Sequence, residues 1–188
     1  MPDKLNEKNA KKPVKLIERT LRYQGHVLSV YDDYVDVAGH KTHWDFIHHI
    51  GAAAVLPVLD DGKILMVRQY RHALGRYTLE IPAGKRDSEE ENFELCAKRE
   101  LEEETGYRAE KLEFLLFVNT TVAFLDEKIG IYLARDLKPG EKHWDVDEEL
   151  GAEAWELSAS RWGDSWLSTV RATWCWSGAQ GPLRRSFQ

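Results

Sequence analysis

Residues 99–106 read Arg99-Glu100-Leu101-Glu102-Glu103-Glu104-Thr105-Gly106. On a helix, Glu103 lies three residues and Glu104 four residues beyond Glu100, so these three carboxylates share one face. Like charges at such spacings repel by about 0.2–0.5 kcal/mol per pair. Near a helix C-terminus the macrodipole disfavours them further. A helix built only for packing would carry Lys or Arg there. A divalent cation reverses the sign of every one of these terms, and several hard oxygens on one rigid face suit Mg²⁺, with Mn²⁺ as a substitute. Arg99, four residues before Glu103, is placed to hold that carboxylate, while Glu102 points about 100° away, toward solvent.

The elements that must position this face can be read on either side of it. Phe93, Cys96, Ala97 and Leu101 recur at three- and four-residue steps, which predicts a helix over 89–105 with one narrow apolar face and Gly106 as its C-cap. Upstream, the apolar run over 52–59 reads as a buried strand. The turn Asp60-Asp61-Gly62 and the run over 63–70 predict its hairpin partner. A short strand over 77–81 is stopped by Pro82-Ala83-Gly84. Residues 14–50 read as a β-rich arm with a hairpin turn at Gly39-His40, and 111–119 and 128–134 read as two further strands. The fold class predicted is α+β: a mixed sheet, one strongly charged helix and an N-terminal β arm. His40, His43, His48 and His49 fall on strand-like sequence, where neighbouring side chains face opposite ways, with no cysteine cluster beside them. They read as structural histidines, and Cys96 as a small buried hydrophobe.

Composition limits the setting. The chain has 188 residues, 43% of them apolar, and a net charge of −6, which suits one domain and argues against non-specific nucleic-acid binding. Its two cysteines cannot form a disulfide framework, so a reducing compartment is expected. No apolar run approaches the ~20 residues needed to span a bilayer, and the polar start lacks a secretory signal. The expectation is a cytoplasmic protein that acts on neither membrane nor nucleic acid. Residues 1–13 read as a loose N-terminus.

The order Gly84, Glu91, Arg99-Glu100-Leu101-Glu102-Glu103-Glu104-Thr105-Gly106-Tyr107 resembles the Nudix box, G-x5-E-x7-R-E-U-x-E-E-x-G-U, with U aliphatic or aromatic. The second half matches position for position. The first half is one residue longer, so either Glu90 or Glu91 stands for the first glutamate, and helical phase with Arg99 favours Glu91. The resemblance implies an α/β/α sandwich around a mixed sheet, with a hydrolase core over 51–150. It implies that Glu100 and Glu104 are principal metal ligands, that Glu103 is a third with a catalytic role, and that the Ala83 carbonyl completes the shell. Gly84 would permit the backbone turn that aims this carbonyl, and Glu91, Arg99 and Gly106 would be structural.

Val67-Arg68-Gln69-Tyr70-Arg71 and Leu79-Glu80-Ile81-Pro82-Ala83-Gly84 are similar to the ADP-ribose pyrophosphatase branch of that family. The similarity implies Mg²⁺-dependent hydrolysis of a nucleoside diphosphate-linked small molecule, with ADP-ribose giving AMP and ribose 5-phosphate. Arg68, Arg71 and Glu80 would face the substrate, the alternative being an ion pair among them. A loop glutamate, Glu148 or Glu149, would be the general base. The branch also implies a homodimer joined through the arm over 14–50, where Tyr31, Tyr34, Trp44 or Phe46 either stacks on a base or packs the dimer. One departure is Thr121-Val122-Ala123-Phe124-Leu125-Asp126-Glu127, where Val122-Ala123 replaces the branch's Pro-Gly. It keeps sugar nucleotides and dinucleotide polyphosphates open as substrates. A Nudix-fold binding protein with impaired catalysis is the non-enzyme alternative.

Residues 151–188 differ in composition. They hold five of the seven tryptophans and six of the eight serines, but no lysine and no isoleucine. The break falls where the family pattern stops. Three readings stay open: a frame-shifted translation, a divergent tail whose aromatics pack on the sheet, or a tryptophan-rich tail that binds a partner.

Overall fold

The computed structural model describes residues 13–140 and the backbone of 151–155. Glu148, Glu149 and the tail beyond 155 lie outside the described residues. The arm is a three-stranded antiparallel sheet of β1 (Val14–Gln24), β2 (Ser29–Val37) and β3 (His40–His48), in that order. Its second hairpin turns on Ala38 and Gly39, both at positive φ (54° and 93°), with the Gly39 amide donating to Asp36 Oδ1 at 2.6 Å. A two-residue turn of this kind matches strand twist, so the turn sits one residue earlier than Gly39-His40 and His40 opens β3.

The next strands are β4 (Ala52–Pro57), β5 (Ile64–Arg71), β6 (Arg76–Glu80) and β7 (Ala83–Lys85), followed by helix α1 (Phe93–Thr105). After it come β8 (Tyr107–Arg108), β9 (Leu112–Asn119), β10 (Lys128–Ala134), β11 (Lys138–Pro139) and β12 (Gly151–Trp155). The central mixed sheet runs β7-β4-β10-β9, with β4 and β10 parallel. A second sheet runs β12-β5-β6, and β11 pairs β8. The residue runs over 52–59 and 63–70 therefore do not form the expected hairpin. β7 and β10 take both edges of β4, so β5 turns away to pair with β6 and β12. The turn between them is closed by the Val58–Ile64 bridge, the Leu59 amide on the Lys63 carbonyl and the Gly62 amide on the Leu59 carbonyl (both 2.9 Å). Strand β12 lies just past the core boundary set at residue 150, and it pairs with β5 from Gly151↔Arg68 to Trp155↔Ile64.

The core explains why α1 lies where it does. Ala53, Val55, Cys96, Ala97 and Leu101 are almost fully buried together with Tyr132 and Ala134. Small residues on both sides let the helix settle close on β4, and Leu101 supplies the bulk, worth roughly 1.5–3 kcal/mol on burial. The helix begins later than 89–105 predicted. The side chain of Asn92 accepts from the Glu94 amide at 2.8 Å, and this N-cap starts α1 at Phe93 and leaves 86–92 as a loop. Gly106, at φ 73°, closes the other end, its amide on the Glu102 carbonyl. Among the described residues this is the single α-helix, one helical layer on a mixed sheet. No helix among them is long and apolar enough to cross a membrane.

Candidate active site

Strand β7 and helix α1 bring the box residues together. Ala83 pairs with Ala54 of β4, and its amide donates to Glu104 Oε2 at 3.0 Å. Glu104 is buried, at 3% exposure, so its carboxylate is fixed against the strand. The Cys96 thiol donates to the Gly84 carbonyl at 3.6 Å, and burial pushes that thiol up to about 12, leaving it protonated.

Gly84 has a different role from the one expected. It lies within β7 and not at a turn of positive φ. A Cβ placed on it would stand 2.1 Å from Glu100 Cδ and 2.1 and 2.3 Å from the two carboxylate oxygens. The glycine is needed because a side chain sixteen residues away lies flat against its Cα. This close approach puts the Glu100 carboxylate beside the strand, with the Glu104 carboxylate one helical turn on.

Arg99 ties the carboxylates into one chain. Its Nη1 donates to Glu100 Oε1 at 2.7 Å and to Glu103 Oε2 at 3.1 Å. Its Nε and Nη2 reach the Glu91 oxygens, both at 3.3 Å, and Asp87 Oδ2 lies 3.4 Å away. Burial works against the guanidinium charge, but Glu91 and Glu100 outweigh it and hold Arg99 above its ordinary value. Burial likewise pushes the Glu91 carboxyl up. Arg99 and the Asp87 amide more than offset this, and the group sits below the usual carboxylate range. Arg99 thus meets Glu91, whereas Glu90 is exposed and its amide contacts Ser88. Asp87 was not singled out in the sequence; the signal was its place in the loop carrying the extra residue. Glu102 turns away from Arg99 and pairs with Arg108 at 3.2 Å.

The donor set fits a hard divalent cation. Glu100, Glu103 and Glu104 offer carboxylate oxygens along one face, and the bare Cα of Gly84 gives Glu100 room. No group of three acidic, histidine or cysteine side chains among the described residues stands in a closed metal-holding arrangement. The Arg99 guanidinium bridges Glu100 and Glu103.

Arg71 and Glu80 meet each other across β5 and β6. Arg71 Nε and Nη2 donate to the two Glu80 oxygens at 2.9 and 2.5 Å, and the Thr78 hydroxyl donates to Glu80 Oε1. Arg68 is not part of that pair. Its guanidinium stacks 3.8 Å from the Tyr77 ring centroid. Burial raises the Glu80 carboxyl, but Arg71 and Thr78 outweigh it and the group ends below its ordinary value. A carboxyl depressed by folding stabilises the protein above its unfolded pKa of about 4.3, and the contribution is lost as pH falls through the lower folded value. Wild type should therefore be more resistant to urea than Glu80→Gln above about pH 5. The two midpoints should converge on acidification, and parallel urea curves at all pH values would contradict this.

The arm docks onto the loop before β10. The Ile47 amide donates to the Phe124 carbonyl at 2.7 Å, and the Asp126 amide to the Ile47 carbonyl at 3.1 Å. His48 Nδ1 lies 2.8 Å from Asp126 Oδ2, and His49 Nδ1 lies 3.6 Å from Glu127 Oε1. His43 bonds Asp32 and stacks on Tyr34. Tyr31 and Phe46 pack together, with the Arg19 guanidinium 3.7 Å over Phe46. Trp44 is exposed.

Comparison with known proteins agrees with this geometry. A family model described as the NUDIX domain matches residues 48–164. The chain is 40% identical over 145 residues to the ADP-ribose pyrophosphatase of Bacillus subtilis (strain 168), covering 77% of this chain and 78% of that protein. It is 37% identical over 146 residues to the methanol dehydrogenase activator of Bacillus methanolicus, covering 75% and 78% respectively. A crystal structure of an ADP compounds hydrolase superposes with a TM-score of 0.68 at 23% identity, covering 78% of this chain and 80% of that one.

Proposed function

The chain belongs to the Nudix family and is a Nudix hydrolase of nucleoside diphosphate compounds; on that premise we propose that it hydrolyses ADP-ribose to AMP and ribose 5-phosphate in a Mg²⁺-dependent reaction. The observation that carries this reading is the seat of Glu100 on Gly84, with Glu103 and Glu104 on the same helical face. The 40% identity to an ADP-ribose pyrophosphatase supports the substrate.

In this reading Glu100, Glu103 and Glu104 would hold Mg²⁺, and the ion would supply charge neutralisation at the diphosphate and activation of a water. The chain's own residues do the positioning. The Ala83 amide fixes Glu104, and Arg99 holds Glu100 and Glu103. Arg71 is a fork suited to a phosphate, and Glu80 can accept from a ribose or adenine donor; each is kept oriented by the other. Glu148 or Glu149 would take the proton of a water that attacks one of the two phosphorus atoms, and the bridging P–O bond breaks to release AMP and ribose 5-phosphate.

Val122 and Ala123, standing where Pro-Gly is expected, favour a second reading: a sugar nucleotide or dinucleotide polyphosphate as substrate. Purified protein with Mg²⁺ and a panel of ADP-ribose, ADP-glucose, GDP-mannose and a diadenosine polyphosphate separates the two. AMP and ribose 5-phosphate from ADP-ribose, at the highest kcat/KM of the panel, supports the first reading. Preference for another member supports the second, and no turnover of any overturns both.

The proposed cytoplasmic enzyme is a homodimer. Leu16, Leu21 and Trp44 of the arm are exposed, and their register opposite Val35, Tyr31 and Asp33 places them on one face of its sheet, an apolar surface of the kind that marks an interface. Light scattering should return twice the chain mass of 21.7 kDa, and Leu21→Glu should reduce it to one. A wild-type monomer would contradict the dimer.

A further inference from the structure

The loop between β7 and α1 carries one residue more than the family spacing, and it must still deliver Glu91 to Arg99. Arg86 spans that loop. Its Nε donates to the Glu91 carbonyl at 2.7 Å and its Nη1 to the Ile50 carbonyl at 2.8 Å, while its Nη2 donates to the Glu89 carbonyl. Its own amide donates to the Gly51 carbonyl at 3.0 Å. The guanidinium also lies 4.6 Å from the centroid of Phe93, the first residue of α1. Phe93 in turn is wedged against Gly51 and Gly130, each bare where a Cβ would come within 3.1–3.3 Å of it.

The Glu91 carbonyl precedes the N-cap and so has no partner inside the helix. Arg86 supplies one with a charged donor and joins the start of α1, the loop and the end of the arm. From the same Glu91, the side chain accepts from the Asp87 amide at 2.7 Å and from Arg99. One residue therefore has its backbone held by Arg86 and its side chain holding Arg99, which in turn holds Glu100 and Glu103.

We infer that Arg86 is a positioning residue for the carboxylate site: it fixes the backbone of the lengthened loop so that Glu91 orients Arg99, and through Arg99 the metal-binding carboxylates. This rests on the reading of Glu100, Glu103 and Glu104 as a divalent-cation site. Outer partners of metal ligands typically carry 10–100-fold effects on metal affinity or activity.

The test compares wild type with Arg86→Lys, which keeps the charge and the stem over Phe93 but has one nitrogen in place of three. Mn²⁺ binding to the metal-free protein is read by EPR titration, alongside the Mg²⁺ dependence of AMP release. Arg86→Lys is expected to bind Mn²⁺ roughly 10-fold more weakly or worse and to need correspondingly more Mg²⁺. KM for ADP-ribose at saturating Mg²⁺ should stay within about twofold. In a Glu91→Gln background the same substitution should have little further effect on Mn²⁺ affinity, because Arg86 acts through Glu91.

Wild-type Mn²⁺ affinity in a folded Arg86→Lys overturns the inference. A full, additive loss in the Glu91→Gln background also overturns it, since Arg86 would then act independently of Glu91, as does an Arg86→Lys chain that does not fold, which shows a role in stability and not in positioning. If wild type fails on ADP-ribose, the substrate reading falls and the Mn²⁺ comparison still judges Arg86. A wild-type chain that binds no Mn²⁺ overturns the site and the inference together.

Discussion

Gly84→Ala is expected to cut turnover by about 100-fold while leaving the melting temperature close to that of wild type. The new Cβ would stand 2.1 Å from Glu100 Cδ, well inside contact distance, so the carboxylate must leave its seat. It is the far end of a flexible side chain and can swing away without disturbing β7, so the fold loses little. The site loses more. Glu100 leaves the strand and its 2.7 Å bond to Arg99, and a displacement of about 1 Å at a catalytic constellation can cost about 10²-fold. Steady-state kinetics and a thermal melt on one preparation check both halves. Full activity would show that the close approach is packing alone; a large loss of stability would show that Glu100 cannot yield.

Glu103→Gln is the second large effect, and it too separates function from stability. The Glu103 side chain is 38% exposed, and its partner is Arg99 at helical i,i+4 spacing. Such pairs are worth only about 0.3–0.5 kcal/mol, and removing the charge also relieves repulsion from Glu100, three residues back. The folded state should be almost unaffected. If Glu103 holds the ion that stabilises charge at the diphosphate, several kcal/mol of transition-state stabilisation go with it, or about 10³-fold in kcat. Added Mg²⁺ should recover little of that loss. Unchanged kcat in Glu103→Gln would remove Glu103 from the site.

How much could be read ahead of the structure depended on the range of the interactions concerned. The β arm, α1 with its apolar stripe, its Gly106 cap and the strands around it were legible because period and turn chemistry are local. Glu100, Glu103 and Glu104 were legible for the same reason, since helical spacing alone places them on one face. The hairpin expected over 52–70 was not formed, because the partners of β4 are Ala83–Lys85 and Lys128–Ala134, and strand competition between distant segments leaves no mark in a window of ten residues.

Three details of the site were hidden as well. The family resemblance implied that Gly84 permits a backbone turn; in the structure its place is set by a carboxylate arriving from α1. The start of α1 was set by one side chain, Asn92, within a polar run that looked helical throughout. Nothing in the sequence pattern marks Arg86, whose three carbonyl partners belong to Ile50, Glu89 and Glu91. The pairing of β12 with β5 is likewise long-range, and it carries the second sheet past the point where composition changes.

On the proposed function, the carboxylates on α1 hold the divalent ion by which this chain would hydrolyse ADP-ribose. The most direct measurement is AMP release from ADP-ribose as Mg²⁺ is titrated into metal-free wild type and Glu103→Gln, with equilibrium Mn²⁺ binding read on the same samples. The account predicts that AMP and ribose 5-phosphate appear in wild type only as the ion is added, and that Glu103→Gln loses both tight Mn²⁺ binding and turnover while melting like wild type. AMP release that persists in excess chelator, or a Glu103→Gln chain that binds Mn²⁺ and turns over like wild type, would contradict it.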